Sequence, residues 1–62
     1  MNTEMLLKEF QSILALEERA RHFYDHYASQ VDDEELKAKL ISIRNDEIRH
    51  IKLANELIGL VK

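Results

Sequence analysis

Apolar residues recur along this chain in alternating steps of four and three, the spacing of one face of an α-helix. The stripe in the first half reads Leu6, Phe10, Ile13, Glu17, Ala20, Tyr24, Tyr27, Val31. In the second half it reads Leu36, Leu40, Ile43, Glu47, His50, Ala54, Leu57, Val61. The pattern predicts an all-α chain with one helix over 3–29, a turn at 30–32 and a second helix over 33–61. Proline is absent and the single glycine is Gly59, so the strongest break is Ser29-Gln30-Val31-Asp32-Asp33. Asn2 or Thr3 can cap the first helix. Asp32 with Glu35 makes a capping box, and Val31 with Leu36 is spaced as a hydrophobic staple, so the second helix is expected to begin there. Asp33, Glu34 and Glu35 add the charge that the helix dipole favours at an N-terminus. No linker or low-complexity run divides the chain, and residues 1–62 read as one helical hairpin.

A short connection makes the helices antiparallel neighbours, so facing residues should have positions of near-constant sum. Leu6 then meets Leu57, Phe10 meets Ala54, Ile13 meets His50, Ala20 meets Ile43 and Tyr24 meets Leu40. In this register Glu17 is level with Glu47. His50 follows Glu47 by one helical turn on the same face, about 4.5 Å along the axis. These three side chains interrupt an otherwise apolar stripe. A carboxylate held there loses hydration unless a proton, a counter-charge or a metal compensates.

The apolar surface is wider than two helices cover for each other. Leu7, Leu14, Leu16 and Phe23 flank the first stripe, and Ile41, Ile48, Ile51 and Ile58 flank the second. A chain of 62 residues without cysteine also has no disulfide to support a small core. A homodimer of hairpins closed by a two-fold axis into a four-helix bundle is the expected assembly. Further apolar positions over 48–61, together with Met5, Leu6 and Leu7, predict association beyond the dimer, such as a ring. Pairing doubles the polar set to two lone glutamates and two Glu-x-x-His pairs. Four ionised carboxylates in one dry layer repel, and two divalent cations neutralise them, one per chain and two per dimer. Oxygen donors with one imidazole per metal suit iron or manganese, with zinc as a competitor.

Charge narrows the partners further. Nine basic and twelve acidic residues are interspersed for a net charge of −3, leaving no basic stripe for nucleic acid or anionic lipid. No apolar run approaches the roughly 18 residues of a membrane span. The start Met-Asn-Thr-Glu lacks the basic flank and apolar core of a secretion signal, and a cytoplasmic protein is expected.

Glu17, then Tyr24 seven residues later, then Glu47-Ile48-Arg49-His50 beginning thirty residues after Glu17, resembles the ferritin-like di-iron carboxylate superfamily. The resemblance spans Leu6 to Leu57 and is nearest to the half-sized, encapsulated ferritins, whose two-helix chains dimerise to build a ferroxidase centre at the subunit interface. It implies that Glu17, Glu47 and His50 are iron ligands, that Glu47 bridges two irons and that Tyr24 is their neighbour. The implied activity is oxidation of Fe(II) to Fe(III) by dioxygen. Rubrerythrin and bacterioferritin share the Glu-x-x-His logic in longer chains, so a peroxide-reducing di-iron protein is the first alternative. A non-catalytic helical oligomerisation module, with polar seam residues fixing register, is the second. Two departures from the resemblance are visible. Phe23 occupies a position where the encapsulated ferritins often have tryptophan. Those proteins are also longer and end in a tail that docks them in a protein shell, whereas this sequence stops at Lys62, so an encapsulating shell is a possible partner that no tail in this chain supports.

Other polar residues invite plainer readings. His22 and His26 are four apart and could grip a surface zinc, but Glu18, Arg19 and Asp25 beside them indicate a solvated face. Glu18 adjoins Glu17 and could serve ion entry. Asp46 either orients the His50 imidazole or forms a surface ion pair. Tyr24 and Tyr27 suit an amphipathic core.

Overall fold

The computed structural model describes residues 2–62; the expected 1–62 hairpin also includes Met1, which lies outside the described residues. Two helices make up the fold, α1 at Thr3–Ala28 and α2 at Glu34–Val61. They run antiparallel, so that Asp25 meets Arg44 and Glu17 meets His50. Among the described residues no helix is long and apolar enough to cross a membrane.

Each helix starts on a side-chain cap. Asn2 accepts a hydrogen bond at Oδ1 from the Met5 backbone N–H at 2.7 Å, satisfying one of the free N–H groups of the first turn. On α2 the cap is Asp33, whose Oδ1 accepts from the Leu36 N–H at 2.8 Å. The expected cap, Asp32, lies instead in the turn, one residue too early. Two consecutive aspartates compete for one cap. The chain leaves α1 at Ala28 and needs Ser29–Asp33 to cross to the second axis, so the later aspartate wins. With Asp33 as the cap, Val31 and Leu36 no longer occupy the staple positions. The turn is closed by the Gln30 and Val31 N–H groups, which both donate to the Tyr27 carbonyl, and by the Ser29 hydroxyl, which donates to the His26 carbonyl at 2.6 Å. Asp33→Ala should destabilise the fold by about 1 kcal/mol and Asp32→Ala by a few tenths at most. Urea denaturation checks this, and equal effects would contradict the assigned cap.

The hairpin is a rod of 47 × 14 × 13 Å with a radius of gyration of 14.4 Å. A compact chain of this length would have a radius of about 11 Å. Being only two helices thick, the rod has little interior: among the described residues the buried hydrophobic ones are Ala28, Ala54 and Ile58.

Burial also corrects the expected seam. Leu14, Ile51 and Ile58 are covered between the helices, whereas Ile13 and Leu57, their predicted counterparts, are 45% and 43% exposed. The stripe is broad enough to have two edges. One edge, through Leu7, Leu14 and Ala28 on α1 and Ile51 and Ile58 on α2, packs within the hairpin. The other edge remains open: Ile13 and Tyr27 on α1, and Leu36, Ile43, His50 and Leu57 at seven-residue intervals on α2. Between the two edges lie Phe10, Glu17 and Tyr24, facing Leu40, Glu47 and Ala54. On the opposite side of the rod Arg44 donates from Nη1 to Asp25 Oδ1 at 3.0 Å, and Arg21 approaches Asp25 at 3.8 Å. The hairpin thus has an ion-paired back, where Ile41 and Ile51 border Asp25, and an apolar front.

Candidate metal centre

Glu17 and Glu47 sit near the middle of α1 and α2. Uninterrupted helix on either side fixes their level, and the antiparallel register brings them together. His50 joins them from the next turn of α2. One ligand atom from each of the three lies within 4.8 Å of the other two. His50 Nδ1 is 3.4 Å from Glu17 Oε2, an ion-pair separation longer than a good hydrogen bond. The Glu17 side chain is 24% exposed and His50 51% exposed, so the cluster opens toward the apolar front.

Two oxygens in this group are buried without a hydrogen-bond partner, Glu17 Oε2 and Glu47 Oε2. An orphaned carboxylate oxygen is costly in a dry site. Its usual remedies are a proton or a cation. The first shows in the Glu47 carboxyl, whose pKa is raised: sharing a proton with Glu17 contributes most, followed by burial and by repulsion from Glu17, with a smaller push from Asp46. His50 acts the other way, favouring the ionised form. The second remedy fits the donor set. Two carboxylates and one imidazole are a hard-to-borderline set suited to a divalent cation. Donors on opposite sides of one such ion stand about 4 Å apart, so small side-chain rotations close the present spacing.

The raised Glu47 pKa makes a testable claim about the metal-free protein. A carboxyl that holds its proton more tightly folded than unfolded stabilises the fold while protonated. That contribution is present below the ordinary carboxylate pKa and is lost as pH rises through the raised value. Stability of the metal-free protein should therefore fall on leaving the acid side of this window, and Glu47→Gln should flatten the decline. Melting curves across the window check it, and an unchanged slope in the variant would refute the assignment.

The other candidates are not brought into the cluster. Tyr24 is half-buried two turns along α1, about 10 Å from Glu17 by helical rise, with its ring edge-on to Phe23 at 5.3 Å. Asp46 pairs with Arg49 at 2.5 Å on the surface, which favours the ion-pair reading over support of His50. His22 and His26 are exposed; His22 borders a recess with Glu18, Arg21, Asp25 and Ile51 on the back, while the His26 ring stands edge-on to Tyr27. Glu18 therefore faces away from the front on which the cluster opens. The sequence reading missed Arg44, a half-buried cation in the helix interface whose Nε has no partner. Its spacing was a usable signal, since it precedes Ile51 by seven and Glu47 by three. Comparison with protein-family models, with curated proteins and with solved structures finds no match to this chain.

Proposed function

We propose that this chain is a ferritin-like metal-binding protein whose hairpins pair into a four-helix bundle, and that the centre they share oxidises Fe(II) to Fe(III) with dioxygen. The observation that carries this reading is the convergence of Glu17, Glu47 and His50 around two unpartnered carboxylate oxygens, at mid-length and opening onto an uncovered apolar face. One hairpin offers three protein donors, and a second hairpin on the same face doubles them, one ferrous ion per chain.

In this reading Glu17 and Glu47 neutralise the substrate ions and Glu47 lies between the pair, while His50 contributes a nitrogen donor. Bundle formation covers the centre and keeps bulk water from competing with weak carboxylate contacts. Iron is the reductant: each Fe(II) gives up one electron, and the two electrons of a pair, with two protons from solvent, reduce one dioxygen to hydrogen peroxide. Manganese and zinc suit the same donors and would occupy the centre without turnover to a ferric product.

Iron loading under nitrogen, followed by metal analysis and mass determination, tests the proposal. One iron per chain in an even-numbered assembly is expected, followed by oxidation on admitting air. Faster oxidation by hydrogen peroxide than by dioxygen would move the assignment to the rubrerythrin-like reaction. No bound metal in a folded oligomer would leave Glu17, Glu47 and His50 as register-setting residues of a helical module.

A further inference from the structure

Outside the centre itself, one polar side-chain contact crosses between the helices among the described residues: Arg44 donates from Nη1 to Asp25 Oδ1 at 3.0 Å. We propose that Arg44 is a positioning residue of the centre, its bridge to Asp25 selecting the helix rotation at which Glu17, Glu47 and His50 converge. The proposal rests on the metal-centre reading and adds what holds its geometry.

Apolar packing alone leaves two rotations nearly equivalent. Leu14 and Ile58 face inward, while Ile13 and Leu57, one residue earlier on each helix, are exposed residues of the same apolar kind. Exchanging the two edges turns each helix by about 100° and trades leucine for isoleucine, so burial changes little. The polar residues feel the exchange far more. On α2 it would swing the exposed His50 into the hairpin and carry Arg44, half-buried seven residues before Ile51 on the edge that packs, out to solvent. The bridge therefore belongs to one of the two packings, the one in which the cluster opens to the front.

Arg44 is seated as a tether would be. In the register that sets Glu17 level with Glu47, Arg44 is level with Ala20, and Asp25 lies five residues nearer the turn, about 7.5 Å by helical rise. Side chains on a helix lean toward its N-terminus, which on α2 is the turn end, so the long Arg44 stem spans that interval. Its Nη2 donates to Asn45 Oδ1 at 2.9 Å, while Nε is buried without a partner. A long cation free to reach water keeps such a nitrogen hydrated; here it is given up while the guanidinium is held at Asp25. An ion pair of this kind adds little to overall stability, yet a polar contact fixes register where the apolar alternatives are balanced. Arg21, at 3.8 Å from Asp25 Oδ2, sits on the same helix as Asp25 and has no such leverage.

Arg44→Met keeps a stem in the interface and removes the bridge; Asp25→Asn removes it from the other helix and covers the case in which the first variant misfolds. Fe(II) affinity, titrated under nitrogen, should fall about 10-fold in each, the lower end of the range for residues that orient a ligand, with Arg21→Met at the parental value. The charge swap, Asp25→Arg with Arg44→Asp, should recover most of the loss, because an arginine on α1 leans away from the turn and toward the facing position on α2. A second readout needs no metal. The nuclear Overhauser contact between the His50 ring and the Glu17 side chain, whose Nδ1 and Oε2 are 3.4 Å apart, should weaken in Arg44→Met and Asp25→Asn and return in the swap. Parental affinity and contact in both of those variants would overturn the positioning role, as would a loss that the swap leaves unrecovered or an equal loss in Arg21→Met. A parent that binds no metal would sink the centre instead, and the Overhauser contact would then decide by itself whether Arg44 sets the rotation.

Discussion

Glu47→Ala should abolish stoichiometric binding of Fe(II), and of Mn(II) or Zn(II) offered in its place. Glu47 stands within 4.8 Å of both other donors, and in the proposed assembly its carboxylate lies between two ions. Its loss removes one of three protein donors from each half-site. Losing only a residue that supports a ligand typically costs 10–100-fold in affinity, so loss of the ligand itself should cost at least about 100-fold. Isothermal titration under nitrogen reads this directly. The same substitution has the opposite sign on the metal-free fold. It removes a carboxyl held near Glu17 with a buried, unpartnered oxygen, and the metal-free variant should be as stable as the parent or more so. A side chain whose removal stabilises the empty protein while destroying its ligand affinity is there for the ligand. If the variant bound metal like the parent, or if the parent bound none, the centre would not exist.

Much of this geometry was legible in the chain because few alternatives were available to it. With no proline, one glycine near the end and one polar break, two long helices and a hairpin follow from local rules. A single short turn between long helices then constrains which positions come level, which is why Glu17 and Glu47 meet as expected although thirty residues separate them. The edge of the stripe that packs within the hairpin was not legible. Apolar residues continue from Ile13 to Leu14 and from Leu57 to Ile58, and periodicity alone cannot say which of each pair faces the neighbouring helix. The Arg44–Asp25 bridge accompanies the observed rotation, in which Leu14 and Ile58 face inward and Ile13, His50 and Leu57 are exposed. The exposure of His50 follows from that rotation. The cap moved from Asp32 to Asp33 for a different reason, since the span of the turn is a tertiary quantity to which two adjacent aspartates are equally suited.

Leu57→Lys should dissolve the assembly, unfold much of the chain and release the metal, although Leu57 is no ligand. Ten residues of α2 separate it from Glu47, about 15 Å of helix, so it leaves the donors untouched. In a lone hairpin the substitution would be nearly silent, because the Leu57 side chain is already 43% exposed. Across a bundle interface it places an ammonium against the apolar face of the partner, a desolvation cost of roughly 3 kcal/mol or more and hence upward of about 100-fold in dissociation constant. Dissociation would then reach the fold itself. The hairpin alone buries Ala28, Ala54 and Ile58 and little else, while holding 54 helical residues, 26 in α1 and 28 in α2, against their conformational entropy. Association and folding should therefore be one transition, with a melting temperature that rises with protein concentration in the parent. Sedimentation, circular dichroism and metal analysis on the same sample would show mass, helicity and iron falling together. Were the variant to keep parental mass, helicity and iron content, the apolar front would not be the interface, and the two half-sites would have no means of meeting.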